Sequence, residues 1–425
     1  MQAIQRAGLI VSLCLLMLPC RSQDDPFGRL PTWTAEQVRE DFDALISALK
    51  RHHPALYRYC SPQQFDRSVD SLRASLYRPM SEFELLGSIT ALYPLIGDGH
   101  TLFLPTEEWT GTAPARYFPL PVEYGDMALH VGCDGAQPDQ PHSGARILAI
   151  NGTPAAAIID TLLTRQVRDG MHTSYANWIL RQWFRSYYRF SFGEPERFQV
   201  LIEQDGERMK LMVDAVDADA LPPPCSPDPE KVLELSFLAN SIALLRISSF
   251  ERSRLKLREI DSAFASIREQ GARRLILDLR GNQGGEPRNA ERLLAHVLDR
   301  PFSLVAKGPA AGITRPLKDR YSGALCALMD GGSFSATAMV LAQLELHARG
   351  PLIGEESGGN RTVISGSART VHLPNTRIAC TISRKDWWLV EREVDGRGVM
   401  PTHASPMIPA QDLALEKAVQ LLSGQ

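Results

Sequence analysis

An α/β fold is predicted for the second half of this chain, and three observations predict it. Short apolar runs alternate with amphipathic segments from residue 241 onward, as strands and covering helices do. One of those runs, Leu275-Ile276-Leu277-Asp278-Leu279, ends at Arg280-Gly281-Asn282-Gln283-Gly284-Gly285, a polar turn with three glycines. About fifty residues on, the apolar run Ala324–Met329 ends at Asp330-Gly331-Gly332-Ser333-Phe334-Ser335-Ala336, which opens a helix. Glycine turns let backbone N–H groups approach a ligand closely. An oxyanion hole at one turn and a serine at a helix start on the other together point to acyl transfer.

In order, the periodicity predicts a strand over 241–247, a helix over 257–268, a strand over 274–279, a helix over 288–298, a strand over 324–329 and a helix over 335–347. Upstream, residues 34–93 read as helical. Val38, Phe42, Leu45, Ile46 and Leu49 recur at helical spacing, and Ser81-Glu82-Phe83-Glu84 is a helix-start pattern. His52-His53-Pro54 closes one helix at a proline, and the histidine pair reads as a surface loop. Residues 118–163 turn to short strands, followed by an aromatic-rich segment from Trp178 to Phe190 that reads as a core helix. Strands are expected at 198–202 and 209–213. Leu221-Pro222-Pro223-Pro224-Cys225-Ser226-Pro227 is the best linker in the chain.

The N-terminus reads as a leader. Arg6 precedes an apolar run from Leu9 to Leu18, too short to span a bilayer and suited to a secretory signal. Cleavage near Ser22-Gln23 leaves an exported, periplasmic or extracellular protein without a membrane span. Lipidation at Cys20 ranks lower because Pro19 fits a lipoprotein cleavage site poorly. The remaining Cys60, Cys133, Cys225, Cys326 and Cys380 are odd in number, so one thiol at least is unpaired. A net charge of −3 with 22% charged residues implies neither nucleic acid nor an anionic membrane as partner. HExxH and HxxEH spacings are absent, as are CxxC pairs, so a metallohydrolase has no sequence support and no metal or organic cofactor is expected.

The segment Asp278–Gly285 resembles the signature of the S41 serine peptidases, the family of carboxyl-terminal processing proteases and tricorn protease. Gly332–Ala336 resembles its nucleophile segment, Gly354-Glu355-Glu356-Ser357-Gly358-Gly359 the following element, and Gly398-Val399-Met400-Pro401 its closing motif. The resemblance implies a ClpP/crotonase-like protease core at 236–425. Ahead of it stand a leader at 1–22, an N-terminal helical region at 23–115, a module at 116–220 and a linker at 221–235. Gly144–Gly152 resembles the middle of a PDZ domain, which makes that module a degenerate PDZ-like one. Such domains take an extended peptide as an added strand.

Two branches of the family activate the serine differently. Asn360 stands where the processing proteases carry a lysine, and an amide cannot take the serine proton. Ile96-Gly97-Asp98-Gly99-His100-Thr101 resembles the histidine segment of the tricorn-like branch instead. The resemblance therefore implies Ser335 as nucleophile, His100 as base and Asp395, in the family's glutamate position, as orienting acid. Glu393 and Asp98 are the rivals of Asp395. The oxyanion hole is expected from N–H groups of Gly284 or Gly285 and Ala336. Blander readings stand beside these: Ser335 or Ser333 as a helix cap, His100 as a turn histidine, Asp395-Gly396 as an ordinary turn, His403 as structural. The implied function is an exported serine endopeptidase acting on peptide or unfolded protein. The alternative is a non-catalytic binder of peptides or lipophiles on the same scaffold.

Overall fold

The computed structural model describes residues 30–106, 115–132, 142–221, 231–307, 311–407 and 411–424. The leader, Cys20, Cys133, Cys225 and most of the proline-rich linker lie outside the described residues. Cys60, Cys326 and Cys380 are free thiols.

The core is a six-stranded sheet. Leu233–Leu238 pairs antiparallel with Ile242–Ile247, and from there Arg274–Asp278, Ala324–Met329, Leu352–Gly354 and His403–Ala404 run parallel. Strands buried on both faces read as continuous apolar runs rather than alternating ones, and these do. Leu275 and Leu277 face one cluster, packed under helices Leu257–Glu269 and Pro287–Val297, whereas Ile276 and Leu328 face the C-terminal helix Leu413–Ser423. Helix Ala336–Leu346 is buried through Leu344, so it lacks a polar face. The predicted core elements hold to within a residue or so at each end.

N-terminal to this core, three helices each begin with a capping box. Thr34 with Gln37, Ser61 with Gln64 and Ser81 with Glu84 exchange side chain and backbone bonds at the starts of Ala35–His52, Pro62–Ser75 and Glu82–Ile89. The middle of the chain forms an antiparallel six-stranded sheet from Val122–Gly125, Ala128–Val131, Arg146–Ile150, Arg197–Gln204 and Glu207–Asp214, with the short Thr153–Pro154 paired to Arg146–Ile150. Residues 155–163, expected as strand, lie in helix Ala155–Thr164. Its Ile158, Ile159 and Leu162 are buried at helical spacing, which the run of alanines ahead of them supports.

The aromatic segment is helix Ser174–Phe192, kinked at Trp183. It serves two cores at once. Ala176, Leu180, Phe184 and Tyr188 pack under the antiparallel sheet, while Tyr175, Trp178 and Ile179 pack with the N-terminal helices.

One feature ties the N-terminal region to the sheet-bearing C-terminal half. Strand Leu102–Leu104 pairs antiparallel with Ala379–Ile382, itself paired with Arg369–His372. Beside it, buried Asp41 accepts the N–H groups of Asn375 and Thr376 at 2.7 and 2.8 Å and the Thr376 hydroxyl at 2.6 Å. Removing that carboxylate strands buried donors. Asp41→Ala should therefore cost about 2–4 kcal/mol, read as a lower urea midpoint at unchanged slope. An unchanged midpoint would mean that this anchor carries no stability.

Candidate active site

Three parallel strands, Ile242–Ile247, Arg274–Asp278 and Ala324–Met329, deliver their following loops to one edge of the sheet. Ligand sites of open α/β sheets lie at that carboxyl edge. Gly284 lies against the serine turn there. A Cβ on Gly284 would stand 2.7 Å from Ala336 N and 2.8 Å from Ser335 Cβ, and its φ is +93°. Only glycine fits.

Ser335 itself has φ +52° and ψ −121°, a sparsely populated conformation for a residue with a side chain. Its side chain caps no helix N–H. The Oγ instead stands 3.0 Å from His100 Nε2. Ser333 is different. Its buried Oγ accepts the Asp330 N–H at 3.1 Å and donates to Leu279 O at 3.0 Å, a structural role within the turn.

His100 arrives on a tight turn after helix Tyr93–Ile96, which Gly97 ends in the left-handed region. A Cβ on Gly99 would stand 2.5 Å from the Phe334 ring, so only glycine lets this turn pass. The imidazole stacks on Phe334 at 4.8 Å, and Phe334 stacks on Tyr175 at 4.2 Å. Burial pulls the His100 pKa below its ordinary value, with the Asp98 charge opposing. A neutral imidazole able to accept a proton is the result at neutral pH.

The carboxylate beside His100 is Asp98, not Asp395. Asp98 Oδ1 stands 4.0 Å from His100 Nδ1, which has no hydrogen-bond partner among the described residues. Asp395 lies at the surface, held by Arg361 and by the Arg397 N–H at 3.0 Å. The Arg361 guanidinium, 34 positions away, and the Arg397 backbone capture this short side chain, and it makes no contact with His100. The rival reading of Asp98 is the one the geometry favours.

Asp98 is buried and accepts the His100 N–H at 2.9 Å, the Thr101 hydroxyl at 2.6 Å and His53 Nε2 at 3.0 Å. Burial opposes its charge. Hydrogen bonds from His53 and Thr101 and the neighbouring His100 imidazole more than offset that, so the carboxyl stays well below its usual range. His53 is thus no surface residue: its side chain is 1% exposed. Its Nδ1 accepts the Ala55 N–H at 3.2 Å, which leaves the ring proton on Nε2 facing Asp98.

A second buried carboxyl, Asp169, accepts the Asn360 N–H at 2.9 Å, yet burial pushes it up to about 8. Of the two, Asp98 carries the charge. The Asn360 amide accepts the Thr362 N–H at 2.8 Å and donates to the Tyr59 hydroxyl at 3.0 Å, as a loop fastener.

The expected oxyanion donors separate. The Gly284 N–H is taken by Asn282 Oδ1 at 2.9 Å, so it is withdrawn from that role. The N–H groups of Gly285 and Ala336 have no partner among the described residues. His403 sits in the edge strand of the core sheet, away from these groups in the fold. Among the described residues no three His, Cys, Asp or Glu side chains gather as a metal site requires.

Residues 241–403 match the model of peptidase family S41. The carboxy-terminal processing protease CtpA of Bacillus subtilis (strain 168) is 30% identical over 176 residues, 40% of this chain and 35% of that protein. The chain thus spans about a third of the length of the curated relative it matches. Mature CPAF complexed with lactacystin superposes with a TM-score of 0.66 at 14% identity, covering 92% of this chain and 97% of that one. Mature CPAF alone gives 0.63 at 13% identity, covering 92% and 96%. At such identities the two structures establish the shared fold. Sequence similarity to peptidase family S41 is therefore carried by residues 241–403.

Two substitutions separate the serines. Ser335→Ala should abolish peptide hydrolysis with little change in stability. Ser333→Ala should cost about 1–3 kcal/mol for its stranded partners while retaining turnover in the folded protein. Loss of turnover in folded Ser333→Ala alone would reverse the assignment. For the acid, Asp98→Asn should lower kcat by about 10²–10⁴, by analogy with other triads. Asp395→Asn should leave kcat within about threefold, because it is an exposed ion pair of small energy. The opposite ranking would restore Asp395.

Proposed function

We propose that this protein is an exported serine endopeptidase in which Ser335 is the nucleophile, His100 the general base and Asp98 the acid that steadies His100. One observation carries the reading: a neutral imidazole nitrogen 3.0 Å from the hydroxyl of a serine held in a strained turn at a helix start. The Ser335 Oγ attacks the substrate carbonyl and gives its proton to His100 Nε2. The Gly285 and Ala336 N–H groups stabilise the oxyanion, helped by the positive end of helix Ala336–Leu346. Collapse transfers the proton to the leaving amine, and water, activated by the same imidazole, hydrolyses the acyl-enzyme. Asp98 supplies negative charge on the Nδ1 side as the imidazolium forms. His53 and Thr101 position Asp98 without touching substrate.

Export rests on the apolar run after Arg6, and among the described residues no helix is long and apolar enough to cross a membrane. Strand addition of substrate to the antiparallel module belongs to the same proposal, on the PDZ-like pattern around Gly144–Gly152. The non-catalytic alternative is disfavoured by the strain at Ser335, which a binding surface does not need.

The pH profile tests the base. Only neutral His100 accepts the proton, so kcat/KM should fall as pH drops through its pKa. Burial lowers that pKa, so the midpoint should lie below the ordinary histidine value of about 6.5. A rate that rises only through an alkaline group would instead indicate an amine base.

A further inference from the structure

A cleft of about 470 Å³ opens beside the Gly284-Gly285 turn, lined by Arg252, Lys256, Arg258, Glu286, Arg288 and Asn289 among others. Four of these are cationic at neutral pH and one is a carboxylate, a local excess of three positive charges in a chain whose net charge is −3. None of Arg252, Arg258 and Arg288 is bonded to a carboxylate among the described residues, and all three are exposed. Lys256 Nζ donates to the Arg252 carbonyl at 2.6 Å, which holds it at the cleft wall.

The cleft's position follows from the topology. Residues 248–256 leave the strand Ile242–Ile247 at the same carboxyl edge that carries the serine turn. They lie directly against the glycine turn: Phe250 N–H donates to Gly284 O at 2.8 Å, and Glu286 N–H donates to Phe250 O at 2.9 Å. Gly284 in turn abuts Ser335 and Ala336. Across the edge the order is basic cleft, glycine turn, nucleophile. The cleft and the nucleophile thus flank the same glycine turn.

We infer that this cleft is a substrate subsite for acidic side chains, so that the enzyme favours Asp or Glu on one flank of the scissile bond. The inference rests on the serine-peptidase reading above. Exposed guanidinium groups without partners offer paired donors to a carboxylate, and no internal ion pair has to be broken first. Clustered like charges also steer an acidic chain to the edge where the nucleophile lies, an effect that salt weakens.

The test profiles cleavage sites. The full-length protein and Arg252→Glu/Arg288→Glu are incubated with a denatured peptide library, and cut ends are read by mass spectrometry. Asp and Glu should be enriched at flanking positions on one side for the native enzyme, and the enrichment should vanish or reverse in the double variant. With one cleaved peptide, a Glu→Gln change at that position should lower kcat/KM by about tenfold at low salt for the native enzyme alone. The neutral peptide should be cut equally by both. A fluorophosphonate reagent serves as control. An enzyme that reacts with it but shows no acidic preference overturns the subsite and leaves the serine reading standing. An enzyme that fails to react overturns the serine reading, and the subsite with it.

Discussion

The contact between His100 Nε2 and Ser335 Oγ spans 235 positions of sequence, and most of the architecture exists to hold it at 3.0 Å. Neither partner is placed by its own neighbours alone. Ser335 is fixed by a turn at the carboxyl edge of the parallel sheet. His100 comes from the N-terminal helical region and is carried to that edge by strand Leu102–Leu104, which is stitched to Ala379–Ile382. Two separately built regions must therefore dock before this contact exists. The Asp41 anchor and the Leu102–Leu104 strand pairing are the means of docking.

Electrostatics around the contact follow from burial. Three ionisable groups, Asp98, Asp169 and His100, share one water-poor region, and their environments drive them to different states. Donors from His53, Thr101 and the His100 backbone converge on Asp98 and keep it charged. Asp169 has weaker support and is pushed up to about 8. In the proposed reaction that one charge favours a proton on His100 as the serine gives it up. The stacked rings of Phe334 and Tyr175 limit the imidazole to orientations from which Nε2 reaches Ser335.

Much of this was legible in the sequence, and the reasons differ by residue. The core strands announced themselves because burial on both faces makes them continuous apolar runs bounded by glycine turns. Ser335 and His100 were legible through short motifs whose glycines are sterically required. Asp395 was misleading because sequence position says nothing of which way a short carboxylate turns, and Arg361 captures it. His53 looked like a loop residue beside Pro54; its burial depends on Asp98, 45 positions away, and no local pattern encodes that. The withdrawal of the Gly284 N–H by Asn282 was equally hidden, since an Asn in a polar glycine turn looks like any other turn residue. The hairpin strands between 363 and 388 are short and mixed in polarity, so their pairing with the N-terminal region had no periodic signature.

The most direct test of the account is where an active-site-directed fluorophosphonate attaches to the native protein. Peptide mapping by mass spectrometry should find a single adduct on Ser335, formed faster as His100 loses its proton. An adduct on Ser333 or another serine, or a rate of formation unaffected by His100→Ala, would contradict it.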